Sequence, residues 1–260
     1  MSLIYFDIDG TLTDWQFTVP ESTVRAVRRA RENGHFCVVN TGRPYTHIDP
    51  HVRAISFDGY ACSCGMHLIL NGETLLHESF SPEFSRMCVA QNRKHHVRVI
   101  YESEEGMFFD PTMPMTPYQE QSYAHFGRAG LPVDGDIDAP DFFFDKFAAW
   151  ATPETDVPAY RAFLNEHFDP IVRGEGFFEV VAKGFSKKTA MDRILQETGI
   201  PFEDTYALGD SLNDLLMMEN VQHPIAMGNA LPEVKAKSEF VTADVTEDGV
   251  EKALLHYGLI

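Results

Sequence analysis

Apolar residues fall along the chain in short runs that stop at polar, glycine-bounded turns. Ser2-Leu-Ile-Tyr-Phe6 is a run of strand formers that ends abruptly at Asp7. Within Glu21–Asn33, Val24, Val27 and Ala30 recur at helical spacing, and Gly34 stands where a helix C-cap belongs. Phe36-Cys-Val-Val39 reads as the next buried strand, ending at Asn40-Thr-Gly-Arg43. Strand, helix and strand joined by short links predict a parallel α/β sheet. The rhythm returns near the C-terminus with a helix over Thr189–Thr198 and a strand, Thr205–Leu208, that stops at Gly209-Asp210. A helix over Leu212–Met218, strands at Pro224–Met227 and Glu239–Thr242, and a closing helix over Asp248–Tyr257 before Gly258 complete it.

The middle of the chain has a different texture. It predicts a helix over Pro82–His95, strands at Val97–Tyr101 and Gly106–Phe109, and a Pro/Met-rich stretch, Pro111–Pro117. An acidic Pro/Gly-rich linker, Leu131–Asp141, leads into Phe142-Phe-Phe144 and a strand at Phe147–Trp150. A helix over Val157–His167 comes next, then strands at Ile171–Arg173 and Phe177–Ala182. This predicts an α+β domain over residues 82–184, inserted into an α/β core built from 1–81 and 185–260. Met113, Met115 and the aromatics around Phe142 suit core packing better than a pocket lining.

Charge narrows the function. The 260 residues carry 21 Lys+Arg and 39 Asp+Glu, a net charge of −18 that repels polyanions and argues against a nucleic-acid partner. No apolar run approaches the roughly 20 residues of a membrane helix, and Met1–Phe6 has no basic, apolar export signal. Four cysteines are too few for a disulfide scaffold. Cys62 and Cys64 lack a second pair at zinc spacing, so they read as buried thiols on one face of a strand. A cytoplasmic protein that is a monomer or weak homo-oligomer is expected.

Four polar motifs lie at strand ends or helix starts, the edge where open α/β sheets bind ligands. In Asp7-Ile-Asp9-Gly-Thr11, two carboxylates one residue apart repel each other and call for a cation or a shared proton. Asn40-Thr41-Gly42-Arg43-Pro44 offers a hydroxyl and backbone N–H groups to an oxyanion, with Pro44 opening a helix. In Ser186-Lys187-Lys188, Ser186 caps a helix whose first lysines want an anion. Gly209-Asp210-Ser-Leu-Asn213-Asp214 adds a carboxylate suited to Mg2+. Each motif taken alone is also what an ordinary turn or helix cap looks like.

Together and in this order, the four resemble the haloacid dehalogenase (HAD) superfamily, in its Cof-type branch, over essentially the whole chain. That resemblance implies a doubly wound, Rossmann-like core with an inserted cap that closes over the site. It implies a Mg2+-dependent phosphatase acting on small phosphorylated metabolites, sugar phosphates or phosphorylated cofactors. By it, Asp7 attacks phosphorus, and Asp9, its pKa raised, protonates the leaving group and then activates water. Mg2+ is held by Asp7, the Asp9 carbonyl and Asp210. Thr41, Gly42, Lys187 and Asn213 bind the phosphoryl group, with Thr11 and Asp214 in support. A sugar-phosphate mutase or phosphotransferase and a non-catalytic binder are the competing readings. Two departures stand out: Lys188 follows Lys187 where the branch has a small residue, and Cys64-Gly65-Met66 replaces an Asn-Gly-Ala-like segment.

Overall fold

The computed structural model describes residues 1–172, 174 and 176–260; Arg173, expected to end a strand, lies outside them. The chain forms two compact units. In chain order the strands are β1 (Leu3–Phe6), β2 (Phe36–Asn40), β3 (Gly59–Cys62), β4 (His67–Leu70), β5 (Glu73–His77), β6 (Arg98–Ser103) and β7 (Gly106–Phe109). They continue with β8 (Lys146–Trp150), β9 (Phe168–Val172), β10 (Phe177–Ala182), β11 (Thr205–Gly209), β12 (His223–Ala226) and β13 (Phe240–Val241).

The first unit comprises Met1–Gly42, Asp49–Leu76 and Ser186–Ile260. Its sheet has the order β13-β12-β11-β1-β2-β3-β4-β5. Neighbouring strands from β13 to β3 run parallel, and β4 turns back antiparallel to β3. The expected α/β core is therefore present, with an edge of mixed direction. β1 is buried throughout because it lies mid-sheet and must be apolar on both faces. From β1 the chain steps to β2 on one side and, much later, returns through β11 on the other. That reversal opens a crevice at the carboxyl ends of β1, β2 and β11.

Three local expectations change. Pro44 opens only a one-turn 3-10 helix, Tyr45–His47. The region Leu212–Met218 is a 3-10 turn followed by a single α-turn, Leu215–Met218. Cys62 ends β3, while Ser63 and Cys64 take left-handed φ values of 50° and 52°, so the two thiols do not alternate along one strand. All four cysteines are buried and form no disulfide.

The second unit comprises Arg43–Ile48 and His77–Phe185. Its antiparallel sheet has the order β7-β6-β8-β10-β9. Helices Pro82–Lys94 and Val157–His167 pack on one face, over a core rich in Tyr101, Phe142, Phe144, Phe147, Phe168 and Phe178. A further helix, Pro117–Arg128, follows the Pro/Met-rich stretch and buries Phe126 among Ile100, Met107 and Phe109. The boundaries differ from 81/82 and 184/185 for a local reason. Ser79 Oγ donates to Asp145 at 2.6 Å and Phe80 N donates to Phe144 O at 2.9 Å, so the chain joins the second unit before its first helix begins. Residues 43–48 join it because Arg43 stacks 5.3 Å from the Phe126 ring and Thr46 Oγ1 donates to Ser103 O.

This sheet also buries a charge triad. Lys146 Nζ lies 3.1 Å from Glu102 and 3.0 Å from Glu179, with all three side chains withdrawn from solvent. Burial pushes the Glu102 carboxyl up to about 7; Lys146 opposes the shift and Glu179 adds to it. A carboxyl that binds its proton more tightly in the folded state contributes stability fully below its ordinary pKa of 4.5, and loses it as pH rises through about 7. Glu102→Gln should therefore be more stable than the parent at pH 8, by on the order of 1–3 kcal/mol. The gain should shrink towards pH 4.5. Urea unfolding across that range checks it; parallel pH profiles for the two proteins would refute it.

Candidate active site

The crevice of the first unit is lined by residues that stand just beyond three strand ends. Asp7 continues β1, and its N–H donates to Leu208 O of β11 at 3.1 Å, which carries its side chain to the sheet edge. Beyond it the chain folds over itself. Leu12 N and Thr13 N both donate to Ile8 O at 2.9 Å, and Gly10 N donates to Thr13 O at 2.8 Å. Gly10 has φ +81°, and a Cβ there would lie 2.6 Å from Cγ of Asp210. Only glycine lets this turn close on the Asp210 carboxylate.

Lys187 reaches the same point from the helix Lys187–Thr198. Ser186 caps that helix by accepting from Thr189 N. The helix is pinned across the sheet by Tyr5, whose hydroxyl donates to Met191 O at 3.2 Å, and by Asn40, whose Nδ2 donates to Lys187 O at 3.2 Å. Gly65 supports the helix start, since a Cβ there would lie 3.2 Å from the Ser186 carbonyl carbon. Lys187, only 2% exposed, donates from Nζ to Asp7 Oδ1 at 2.5 Å and to Asp214 Oδ1 at 2.7 Å. Lys188 turns outward, 39% exposed, and pairs with Asp192 one turn along. A 100° step along the helix separates the two neighbours.

Asp214 is fully buried and its oxygens are spoken for. Oδ1 takes Lys187, while Oδ2 accepts the N–H groups of Asp210 at 3.0 Å and Ser211 at 2.9 Å. It orients both the lysine and the loop bearing Asp210. By contrast, Asp210 Oδ1, Thr11 Oγ1 and Asn40 Oδ1 are buried without a hydrogen-bond partner.

Asp7, Asp210 and Asp214 bring ligand oxygens within 4.8 Å of one another. Burial, then repulsion from Asp214, pushes Asp7 up to about 7 against the pull of Lys187. Burial, then Asp7 and Asp214, pushes Asp210 up to about 9. Burial works against the Lys187 charge, but Asp214 and Asp7 outweigh it and hold the ammonium above its usual range. One ammonium thus faces a surplus of carboxylates. An all-oxygen donor set with surplus negative charge and an orphaned buried carboxylate oxygen fits a hard divalent cation.

The remaining predicted residues occupy the same strand ends in different ways. Asp9 is half-buried and outside the three-carboxylate cluster, though its charge raises both Asp7 and Asp210. Thr41 is buried, with its N–H donating to Ala61 O at 2.8 Å, and Gly42 is half-buried beside it. Asn213 is buried and accepts from Ser211 Oγ. The sequence alone assigned no role to Tyr5, Asn40 or Ser211; the polar end of β2 is the signal for Asn40 and the Ser211/Asp214 capping box the signal for Ser211, while Tyr5, inside β1, has none.

Known proteins resemble this chain in sequence and in fold. The family model of the haloacid dehalogenase-like hydrolases matches residues 4–254. The YkrA protein of Bacillus subtilis strain 168 is 28% identical, over 99% of this chain and 98% of its own. The pyridoxal phosphate phosphatase YbhA of Escherichia coli K12 is 26% identical, over 95% of each chain. Among solved structures, the HAD subclass IIB sugar phosphatase BT4131 superposes with a TM-score of 0.80 at 26% identity, over 100% of both chains. Among the described residues, no helix is long and apolar enough to cross a membrane.

Proposed function

The chain belongs to the haloacid dehalogenase-like hydrolase family and is a phosphatase of small phosphorylated metabolites, and from that premise we propose that it works through an aspartyl-phosphate formed on Asp7. The observation that carries this reading is the Asp7 carboxylate, buried at the end of β1 and held by Lys187 among further acids. Phosphoryl transfer asks chiefly for positioning and charge neutralisation, and this cluster offers both.

A carboxylate oxygen of Asp7 attacks phosphorus while the ester P–O bond breaks. Asp9 gives its proton to the departing alkoxide. Water then attacks the phosphorus of the aspartyl-phosphate, and Asp9 takes the proton that water loses. Asp7 is released with inorganic phosphate, so one carboxyl serves as acid and then as base. Lys187 offsets the repulsion between two anions and, with Thr41, the Gly42 N–H and Asn213, holds the phosphoryl oxygens. Mg2+ bound by Asp7, Asp210 and the Asp9 carbonyl would supply further charge neutralisation at the phosphoryl group. The reading assigns leaving-group selection to the second unit and takes sugar phosphates or phosphorylated cofactors as substrates. The named relatives support it, one acting on pyridoxal phosphate and another being a sugar phosphatase.

A screen of metabolite phosphomonoesters, with and without EDTA, tests the proposal. Inorganic phosphate should be released with Mg2+, and EDTA should lower the rate at least about 100-fold. Release that persists in EDTA would remove the metal from the reading. An isomerised ester without free phosphate would make the protein a mutase, and no turnover across the panel would make it a binder.

A further inference from the structure

A fifth loop of the first unit, outside the four motifs, reaches the turn that carries Asp9. Residues 227–231 leave the end of β12 and run beside the end of β11. Met227 N donates to Gly209 O at 3.0 Å, and Leu231 N donates to Asp210 O at 2.9 Å. Between these anchors, Asn229 Nδ2 donates to Gly10 O at 2.7 Å, and its Oδ1 accepts from Val245 N at 3.0 Å. One partner can only accept and the other can only donate, so the amide has a single satisfactory orientation.

Gly10 is the residue whose carbonyl most needs such a clip. It has φ +81° and no side chain, so the Gly10–Thr11 peptide plane meets little steric resistance to rotation. Gly10 directly follows Asp9, so the carbonyl that Asn229 holds belongs to the turn that Asp9 enters and the buried Thr11 leaves. Thr11 N donates to Ile8 O at a long 3.2 Å. Without the Asn229 anchor the Gly10 dihedrals are free to change, and the Asp9 backbone, which enters the turn bridged to Thr13, shifts with them.

We propose that Asn229 is a positioning residue for Asp9, clipping the Gly10 carbonyl so that the Asp9 carboxyl stays where it can pass a proton. This rests on the reading of Asp9 as general acid and base. Such an acid matters most when the leaving group is a poor one. Losing the clip should therefore slow cleavage of an alkyl phosphate more than cleavage of an aryl phosphate.

The test compares kcat/KM for glycerol phosphate with kcat/KM for 4-nitrophenyl phosphate, which reports the step that expels the leaving group, both at saturating Mg2+, in the parent, Asn229→Ala, Asn229→Asp and Asp9→Asn. Asn229→Asp keeps an acceptor for Val245 N and lacks the donor to Gly10 O. The alkyl-to-aryl ratio should fall about tenfold in both Asn229 variants and further in Asp9→Asn. The ratio is independent of how much enzyme is folded, so a purely structural role for Asn229 leaves it unchanged. An unaltered ratio in the Asn229 variants with a lowered one in Asp9→Asn overturns the proposal alone. An unaltered ratio in Asp9→Asn overturns the acid assignment and the proposal with it. Equal loss on both substrates, however large, counts against the clip.

Discussion

Asp7→Asn should abolish turnover while leaving the chain folded, with kcat falling on the order of 10,000-fold or more. The substitution keeps the shape of the side chain and an oxygen that can accept from Lys187 Nζ. It removes the negative charge and the nucleophilic lone pairs that an aspartyl-phosphate needs, because an amide oxygen forms no stable phosphoryl ester. Folding should not suffer. The parent carboxylate sits where burial and Asp214 disfavour its charge, so a neutral amide relieves repulsion even as its bond to Lys187 weakens. Phosphate release and the thermal unfolding midpoint together check the outcome. A folded variant keeping more than about one per cent of parental kcat would remove Asp7 as the nucleophile.

Lys187→Met should damage both stability and activity. Methionine matches the length of the stem but leaves Asp7 and Asp214 buried without their common cation. Breaking a buried pair by deleting one partner costs about 3–5 kcal/mol, mainly through the charge left behind. Without a metal to compensate, urea unfolding should register the loss in that range. Turnover should fall about 1,000-fold as a preorganised positive charge disappears from the phosphoryl site. Lys188→Met is the matched comparison. Its ion pair with Asp192 is solvent-exposed, and such pairs contribute less than about 1 kcal/mol. Similar effects from the two substitutions would contradict the division of labour at this helix start.

The chain's organisation was legible where local chemistry and tertiary context agree. β1 reads as a strand because its central place in the sheet demands apolar side chains on both faces. The helix Lys187–Thr198 announces itself through Ser186, and the helix Glu21–Glu32 through Val24, Val27 and Ala30, the last two of which are buried. Other elements had signals that went unread. Pro117–Arg128 opens with a Thr116/Gln119 capping box and proline in its first turn. β4 and β5 flank Asn71-Gly72, both with positive φ, a hairpin dipeptide. The single turn after Pro44 had no reliable signal, because residues 43–48 are held by Phe126 and Ser103 far along the chain.

The sequence by itself determined the chemistry available: which carboxylates, hydroxyls and lysines stand at strand ends, and hence the class of reaction they could serve. It could do so because strand ends and helix caps are local features, written in residues a few positions apart. Only the tertiary structure decided how those groups are used. Lys187 rather than its neighbour enters the acid cluster, Asp214 spends both oxygens on scaffolding, and Asn229 takes hold of the Gly10 carbonyl. The contacts of Lys187 with Asp7 and Asp214 and of Asn229 with Gly10 join residues 27 to 219 positions apart. Such contacts are set by sheet order and packing, which no short stretch of sequence encodes.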